Sequence, residues 1–587
     1  MTNFKKLALH HIMQRYKNSS CTSAQHYQHK IICAVAVFLT CGLSPQFAIA
    51  KNEQLSQIEH GQKTTTSQAV LNDETGEVQA DQAPEHLQNI PALSYLQNLH
   101  DLQQHAYQAP HVQELFSQNG VRTLLVESHQ LPIVDIQLTF NAGSARDESI
   151  RKGLNGLANL TARLLGEGTS SQTANDIAQS FERIGAEYSA QAYRDMFVVR
   201  LRVLSDKKRL DPALNQLILL LKDAQFPQSS IDRILNNAQV GQKQVKENPK
   251  RSMSVRFYRA VYGDHPYAQP STGTIQSLKR IQSADIQAFK NQYLVANNLN
   301  IAITGDVTAQ HAQQLIDLLT GEMTTGEPAP ALPDAKALSK AQIIRIPFNS
   351  SQAHVMIGQV GIRRDDPDRF ALEVGNEILG SGGFTSLLMQ ELREKRGLAY
   401  SASSNLSSMQ SQGLFYIQYS TQRDQLLQSL DITYETLLKF MYQPLNSNQV
   451  KDSKRSLIRA FPLLLRSNAN INSQLGAMGF YGLSRDYLSQ YQQSIEAVTA
   501  EDVQRAWQKH IHPEHFLTVL AGKDISTSEV EKLYQKQLAS YLPSQPQQLQ
   551  TELAQTEITP MEQTQTESKK SDDQHHANHI AEHSEIK

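Results

Sequence analysis

Cysteine is almost missing from this 587-residue sequence: its three copies, Cys21, Cys33 and Cys41, all fall within the first fifty residues. Beyond them no disulfide, thiolate metal site or cysteine nucleophile can form. Positive charge is not in excess either, with 55 basic residues against 57 acidic ones, so nothing draws the chain to a phosphate backbone. Its apolar run from Ile31 to Leu43 spans 13 residues, too few for a hydrocarbon core that needs about 20. Several motifs are also lacking. There is no G-x-S-x-G, no phosphate-binding or dinucleotide loop and no H-E-x-x-H, and H-x-x-E-H occurs only in the polar C-terminal tail, at His579–His583.

What is present begins with a leader. Lys5, Lys6, Arg15, Lys17 and Lys30 precede the apolar run without an intervening acid, and Ala48-Ile49-Ala50 follows it. This pattern predicts a signal peptide over 1–50, export across the inner membrane and a periplasmic protein. Removing it leaves 50 basic against 57 acidic residues, a net charge of −7. From 51 to 94 no aromatic residue occurs, and none occurs from 542 to 587, where His575, His576, His579 and His583 cluster. Both polar segments read as disordered, because they cannot bury enough surface to offset ordering entropy. Pro328, Pro330 and Pro333 mark a linker over 324–339. Two folded blocks remain, 95–323 and 340–541.

The blocks share a pattern. Ser277–Asp306 lies over Ser494–Lys523 without a gap at an offset of 217, pairing Asp285 with Asp502, Ile301 with Thr518 and Gly305 with Gly522. Each copy reads as a capped helix, with Ser283 or Thr499 as cap, followed by an apolar strand. The same offset sets Leu138 over Val355. In the first block Val134, Ile136, Leu138 and Phe140 alternate, as do Phe197, Val199, Leu201 and Val203, and Thr173 with Asp176 forms a capping box. The fold class expected is α+β, two homologous halves, each an antiparallel sheet covered by helices.

Gly143-Ser144-Ala145-Arg146-Asp147-Glu148, Gly156-Leu157-Ala158 and Gly166-Glu167-Gly168-Thr169, with Gly263-Asp264-His265-Pro266-Tyr267, resemble the pitrilysin/insulinase family of zinc peptidases. The resemblance covers both blocks. Active members carry H-x-x-E-H just after Gly-Leu-Ala, where this chain has Asn159-Leu160-Thr161-Ala162-Arg163. A catalytic zinc needs three ligands and a base beside its water. Asn159 is a poor ligand, Ala162 accepts no proton and Arg163 is a fixed cation. The family's third ligand, a glutamate, would fall near Val240, and no acid occurs between Asp232 and Glu247. No metal site is expected in this chain.

The second block differs. Gly380-Ser381-Gly382-Gly383 leads into a helix whose apolar face is Leu387, Leu388 and Leu392, and Arg393 stands seven residues before Tyr400. Without the resemblance, Arg393 is a solvated helix charge and Tyr400 a core residue at a strand start. The resemblance implies instead that this pair reaches a zinc centre and donates to a peptide carbonyl and its oxyanion. It further implies a partner: a homologous subunit bearing H-x-x-E-H and zinc, acting with this chain on peptide substrates. A non-catalytic peptide-binding or assembly protein on the same fold is the alternative. Of the remaining histidines, His510, His512 and His515 read as a solvated loop, and His265 as the organiser of a turn before Pro266.

Overall fold

The computed structural model describes residues 108–541. The expected leader, the 51–94 segment and the histidine-rich tail lie outside the described residues. The first half builds a six-stranded sheet from β1 (Gln113–Phe116), β2 (Arg122–Glu127), β3 (Ile133–Phe140), β4 (Glu187–Ala192), β5 (Phe197–Leu204) and β6 (Leu299–Gly305). Its order is β1-β2-β6-β3-β5-β4. The second half builds a five-stranded sheet from β7 (Gln342–Pro347), β8 (Gln352–Val360), β9 (Ala399–Ser407), β10 (Leu414–Gln422) and β11 (Leu517–Gly522), in the order β7-β11-β8-β10-β9.

Without β1, the two sheets have the same order and the same directions. The sequence predicts antiparallel sheets, and each is antiparallel except for one pair, since β2 runs parallel to β6 and β7 parallel to β11. The parallel pair arises because each final strand returns through a helix instead of a tight hairpin.

The helix-and-strand repeat is local and survives intact. Helix Ser283–Tyr293 corresponds to Ala500–His510, and a short turn of helix follows each, at Ala296–Asn298 and Pro513–His515. The cap of the first copy is Gln282, not Ser283. Asp285 accepts from the Gln282 N–H (2.9 Å) as Asp502 accepts from the Thr499 N–H (3.1 Å), but only Thr499 returns the bond through its side chain. The offset does not extend to the first strands. Leu138 pairs with Ile301, while Thr518, the counterpart of Ile301, pairs with Ile357, so Leu138 corresponds to Ile357 and not to Val355. A slip of two residues is one full period of a strand, so it leaves the buried face unchanged and escapes detection in the apolar pattern.

The halves exchange helices. Helix α1 (Pro249–Tyr262), capped by Asn248, leaves the first half and packs on β8 and β11 of the second. There Met253, Phe257 and Val261 join Met356, Leu414 and Val519 in one core. Its counterpart α2 (Asn468–Phe480) packs on β2, β3 and β6 of the first half, and Ile471, Leu475 and Met478 share a core with Leu124, Val126 and Ala302. Gly476 makes this approach possible, since a Cβ there would lie 1.9 Å from the Gln137 amide nitrogen. The proline-rich segment 324–339 is packed as well. Leu332 and Ala335 are buried, and the Pro333 carbonyl accepts from Ser411 (2.9 Å) and faces the His265 ring at the same distance.

A buried carboxylate joins the halves at their seam. Asp195, in the β4–β5 turn, accepts from the Tyr267 hydroxyl of its own half. From the second half it accepts the Gln410 N–H (2.9 Å) and the Tyr481 hydroxyl (3.3 Å). Burial raises its pKa, while these donors and the Arg146 charge oppose the rise. His265 organises this corner as the sequence implies, its Nδ1 accepting from the Tyr267 N–H at 3.1 Å.

Candidate active site

The Gly-Leu-Ala motif opens helix α3 (Leu157–Leu164). Its N-terminus is capped from a distance: the buried Asp147 carboxylate accepts from Gly156 N–H (2.6 Å) and Ala158 N–H (2.8 Å). Burial pushes the Asp147 pKa up to about 8, against the pull of those N–H groups. The motif therefore has a structural purpose independent of metal. On the helix itself Asn159 is half-buried, Ala162 is buried and Arg163 is exposed. Arg233 stands near Arg163 and is salt-bridged to Glu167, and Val240 is 61% exposed. One amide, one methyl and two guanidiniums do not make a zinc donor set. The residues present do not fit the metal.

Among the described residues, one group has ligand atoms close enough for an ion: Asp366, Asp368 and His510. Its charge is already balanced. Asp368 Oδ2 accepts from Lys509 Nζ (2.7 Å) and lies 2.9 Å from His510 Nε2, and Oδ1 accepts from Arg505 (3.0 Å). The Lys509 ammonium first, then His510 and Arg505, hold the Asp368 carboxyl well below the usual carboxylate range. His510 is thus not the solvated loop residue expected from sequence. It ends a helix and its side chain is 15% exposed, because the H-x-H-x-x-H spacing crosses from helix into turn and turns His512 away toward Glu514.

Arg393 and Tyr400 lie in the second half. The glycine run descends from Glu377, whose buried carboxylate accepts from Ser381 (2.8 Å) and Ser456 (2.7 Å). Gly380 is required by close packing, since a Cβ there would lie 2.3 Å from Ser404 N. The helix expected after the run is not regular: one turn at Leu387–Met389 continues as a π-helical turn, Gln390–Glu394. Such turns insert a residue into the helical register and recur at functional sites. Leu388 and Leu392 are buried as expected.

The three cations that follow Leu392 have different fates. Lys395 and Arg396 both pair with Glu391. The Arg393 guanidinium makes no hydrogen bond or ion pair with another described residue. Its carbon lies 4.6 Å from the centre of the Tyr400 ring and 4.7 Å from that of Phe384. Tyr400 is 82% exposed at the start of β9, not a core residue, and Phe384 is 59% exposed. The rings hold the cation through their π faces, leaving its N–H groups available to carbonyl oxygen. Sequence reasoning missed Phe384, although it directly follows the glycine run.

Residues 122–275 match the family described as insulinase, peptidase family M16, and residues 280–457 match the peptidase M16 inactive domain. A solved Pseudomonas fluorescens structure described as a peptidase M16 inactive domain is 34% identical. It has a TM-score of 0.67, and the match covers 71% of this chain and 98% of that one. This chain belongs to the insulinase family. The uncharacterized zinc protease YmxG of Bacillus subtilis is 25% identical over 62% of this chain and 86% of its own length. A protease structure from Helicobacter pylori shares the fold, with a TM-score of 0.63 at 18% identity, over 70% of this chain and 99% of that one. The family's two-part α+β architecture is the one described above. Among the described residues, no helix is long and apolar enough to cross a membrane.

Proposed function

We propose that this insulinase-family chain is an exported, zinc-free subunit of a two-chain peptidase. It contributes Arg393 and Tyr400, and a homologous partner contributes H-x-x-E-H and zinc. The observation that carries the reading is the state of Arg393. Two neighbouring cations are paired with Glu391, whereas this one is held by aromatic faces with its donors unspent. A half-buried guanidinium with no ion pair, beside an exposed phenol, suits a peptide backbone, which offers carbonyl oxygens and, during hydrolysis, an oxyanion. In this reading Arg393 holds substrate carbonyls and the Tyr400 hydroxyl donates to the developing charge. The degenerate helix α3 supports the same division of labour, since its residues do not fit zinc.

The test is co-purification with the H-x-x-E-H homologue, then hydrolysis of an unfolded peptide by the reconstituted pair. Tyr400→Phe is expected to lower turnover by about 10²–10³, the cost of one oxyanion donor. Arg393→Ala is expected to lower turnover and weaken substrate binding, while Arg396→Ala, three residues on and paired with Glu391, changes little. Equal activity for wild type, Tyr400→Phe and Arg393→Ala would leave the non-catalytic peptide-binding or assembly role. For export, the mature chain is expected to begin near Lys51 by mass spectrometry and to sit in the periplasm. An intact leader in the cytoplasm would refute that.

A further inference from the structure

We infer that Phe384 is a positioning residue for Arg393, an aromatic jaw that fixes the guanidinium for substrate. The inference rests on the half-site reading above and adds a residue to it. Three observations on the structure lead there. Phe384 exposes 59% of its surface in the short helical turn Gly383–Thr385 that closes the glycine run, where burial gives a large apolar ring no reason to be. Its ring centre lies 4.7 Å from the Arg393 guanidinium carbon, matching the 4.6 Å of Tyr400 from another segment. The loop that carries it is anchored instead of free: Glu377 binds Ser381, the Glu377 carbonyl accepts from Gly382 N–H (3.1 Å), and the Gly383 carbonyl accepts from the Ser386 hydroxyl (2.7 Å).

An arginine side chain free to rotate loses entropy on each hydrogen bond it forms with a ligand. Two rings that occupy its π surface restrict it before substrate arrives and leave the N–H edges facing outward. Phe384 carries no group that could donate, accept or bind a metal, so its contribution passes through Arg393. Tyr400 combines two tasks, a ring for the cation and a hydroxyl for the oxyanion, whereas Phe384 supplies a ring alone.

The experiment uses the reconstituted pair with fluorescein-labelled casein as probe, comparing Phe384→Ala, Phe384→Leu and Phe384→Tyr in wild-type and Arg393→Ala backgrounds. Loss of one exposed cation–π contact predicts a rise in KM of about 2- to 5-fold for Phe384→Ala with kcat nearly unchanged. Phe384→Tyr is expected to keep wild-type KM. Phe384→Leu, similar in bulk but without a π face, is expected to behave as Phe384→Ala. In the Arg393→Ala background, Phe384→Ala is expected to add nothing, because the residue it positions is gone. Wild-type kinetics for Phe384→Ala alongside a deficient Arg393→Ala would overturn the inference and leave the half-site standing. So would a full additional loss in the Arg393→Ala background. Wild-type activity for Arg393→Ala, or an inactive reconstituted pair, would overturn the half-site reading and this inference with it. The exposed position of Phe384 makes unfolding an unsuitable explanation for any loss, and Trp507 fluorescence checks this in each variant.

Discussion

Asp195→Ala would remove an acceptor that three donors from two halves share. The Tyr267 hydroxyl, the Gln410 N–H and the Tyr481 hydroxyl all point at this carboxylate inside the protein. A buried donor left unpaired costs about 1–3 kcal/mol. The three contributions do not simply add: the Tyr481 contact is long at 3.3 Å, and both hydroxyls can rotate toward water entering the vacated space. The Gln410 N–H is fixed by the backbone and has no such escape. A total loss of about 4 kcal/mol is expected, at the upper end of single substitutions. Asp195→Asn keeps one acceptor oxygen and is expected to lose about half as much, roughly 2 kcal/mol. Urea unfolding can be followed by far-UV circular dichroism and by fluorescence of Trp507, the single tryptophan, which packs in the second half against Phe415 and Phe440. Although Asp195 belongs to the first half, Trp507 should report the full loss, because exchanged helices and common cores couple the halves. An Asp195→Ala variant with both midpoints unchanged would refute the argument. A shift seen by dichroism but not by Trp507 would refute the coupling.

Asp368→Asn is expected to cost about 1–3 kcal/mol at pH 7, because Lys509, Arg505 and His510 lose their common charged acceptor. The folded carboxyl titrates below its unfolded value of 3.8, so its stabilisation is present above about pH 4 and disappears as pH falls toward the folded value. Wild-type and Asp368→Asn stabilities should therefore converge in strong acid; a gap that stays constant with pH would contradict the charge-based account. Metal analysis of the purified mature chain is expected to find no stoichiometric zinc, given Asn159, Ala162, Arg163 and Val240. One tightly held zinc per chain, lost on mutating residues 159–163, would reverse that conclusion.

The parts of this protein that the sequence determines are those whose physics is local. The helix Ala500–His510 is announced by its Thr499–Asp502 box, and β5 by strict alternation, because both depend on neighbours a few residues away. The poor fit to zinc is equally legible, since a ligand motif on one helix is a matter of spacing, and Ala162 and Arg163 cannot regain ligand chemistry by folding. Tertiary structure decides the rest. The two-residue slip between β3 and β8 is invisible in apolar pattern because the pattern has that same period. The exchange of α1 and α2 depends on which sheet offers each helix a complementary face, as Gly476 against Gln137 shows. Asp195 gathers donors from residues 267, 410 and 481, a convergence that no segment of the chain encodes. Spacing singles out Arg393 and Tyr400, but only the folded loop brings the Phe384 ring to the same guanidinium while Glu391 takes the two neighbouring cations instead. Which cation stays free is settled by the competition among side chains in space, and the order of residues along the chain does not contain it.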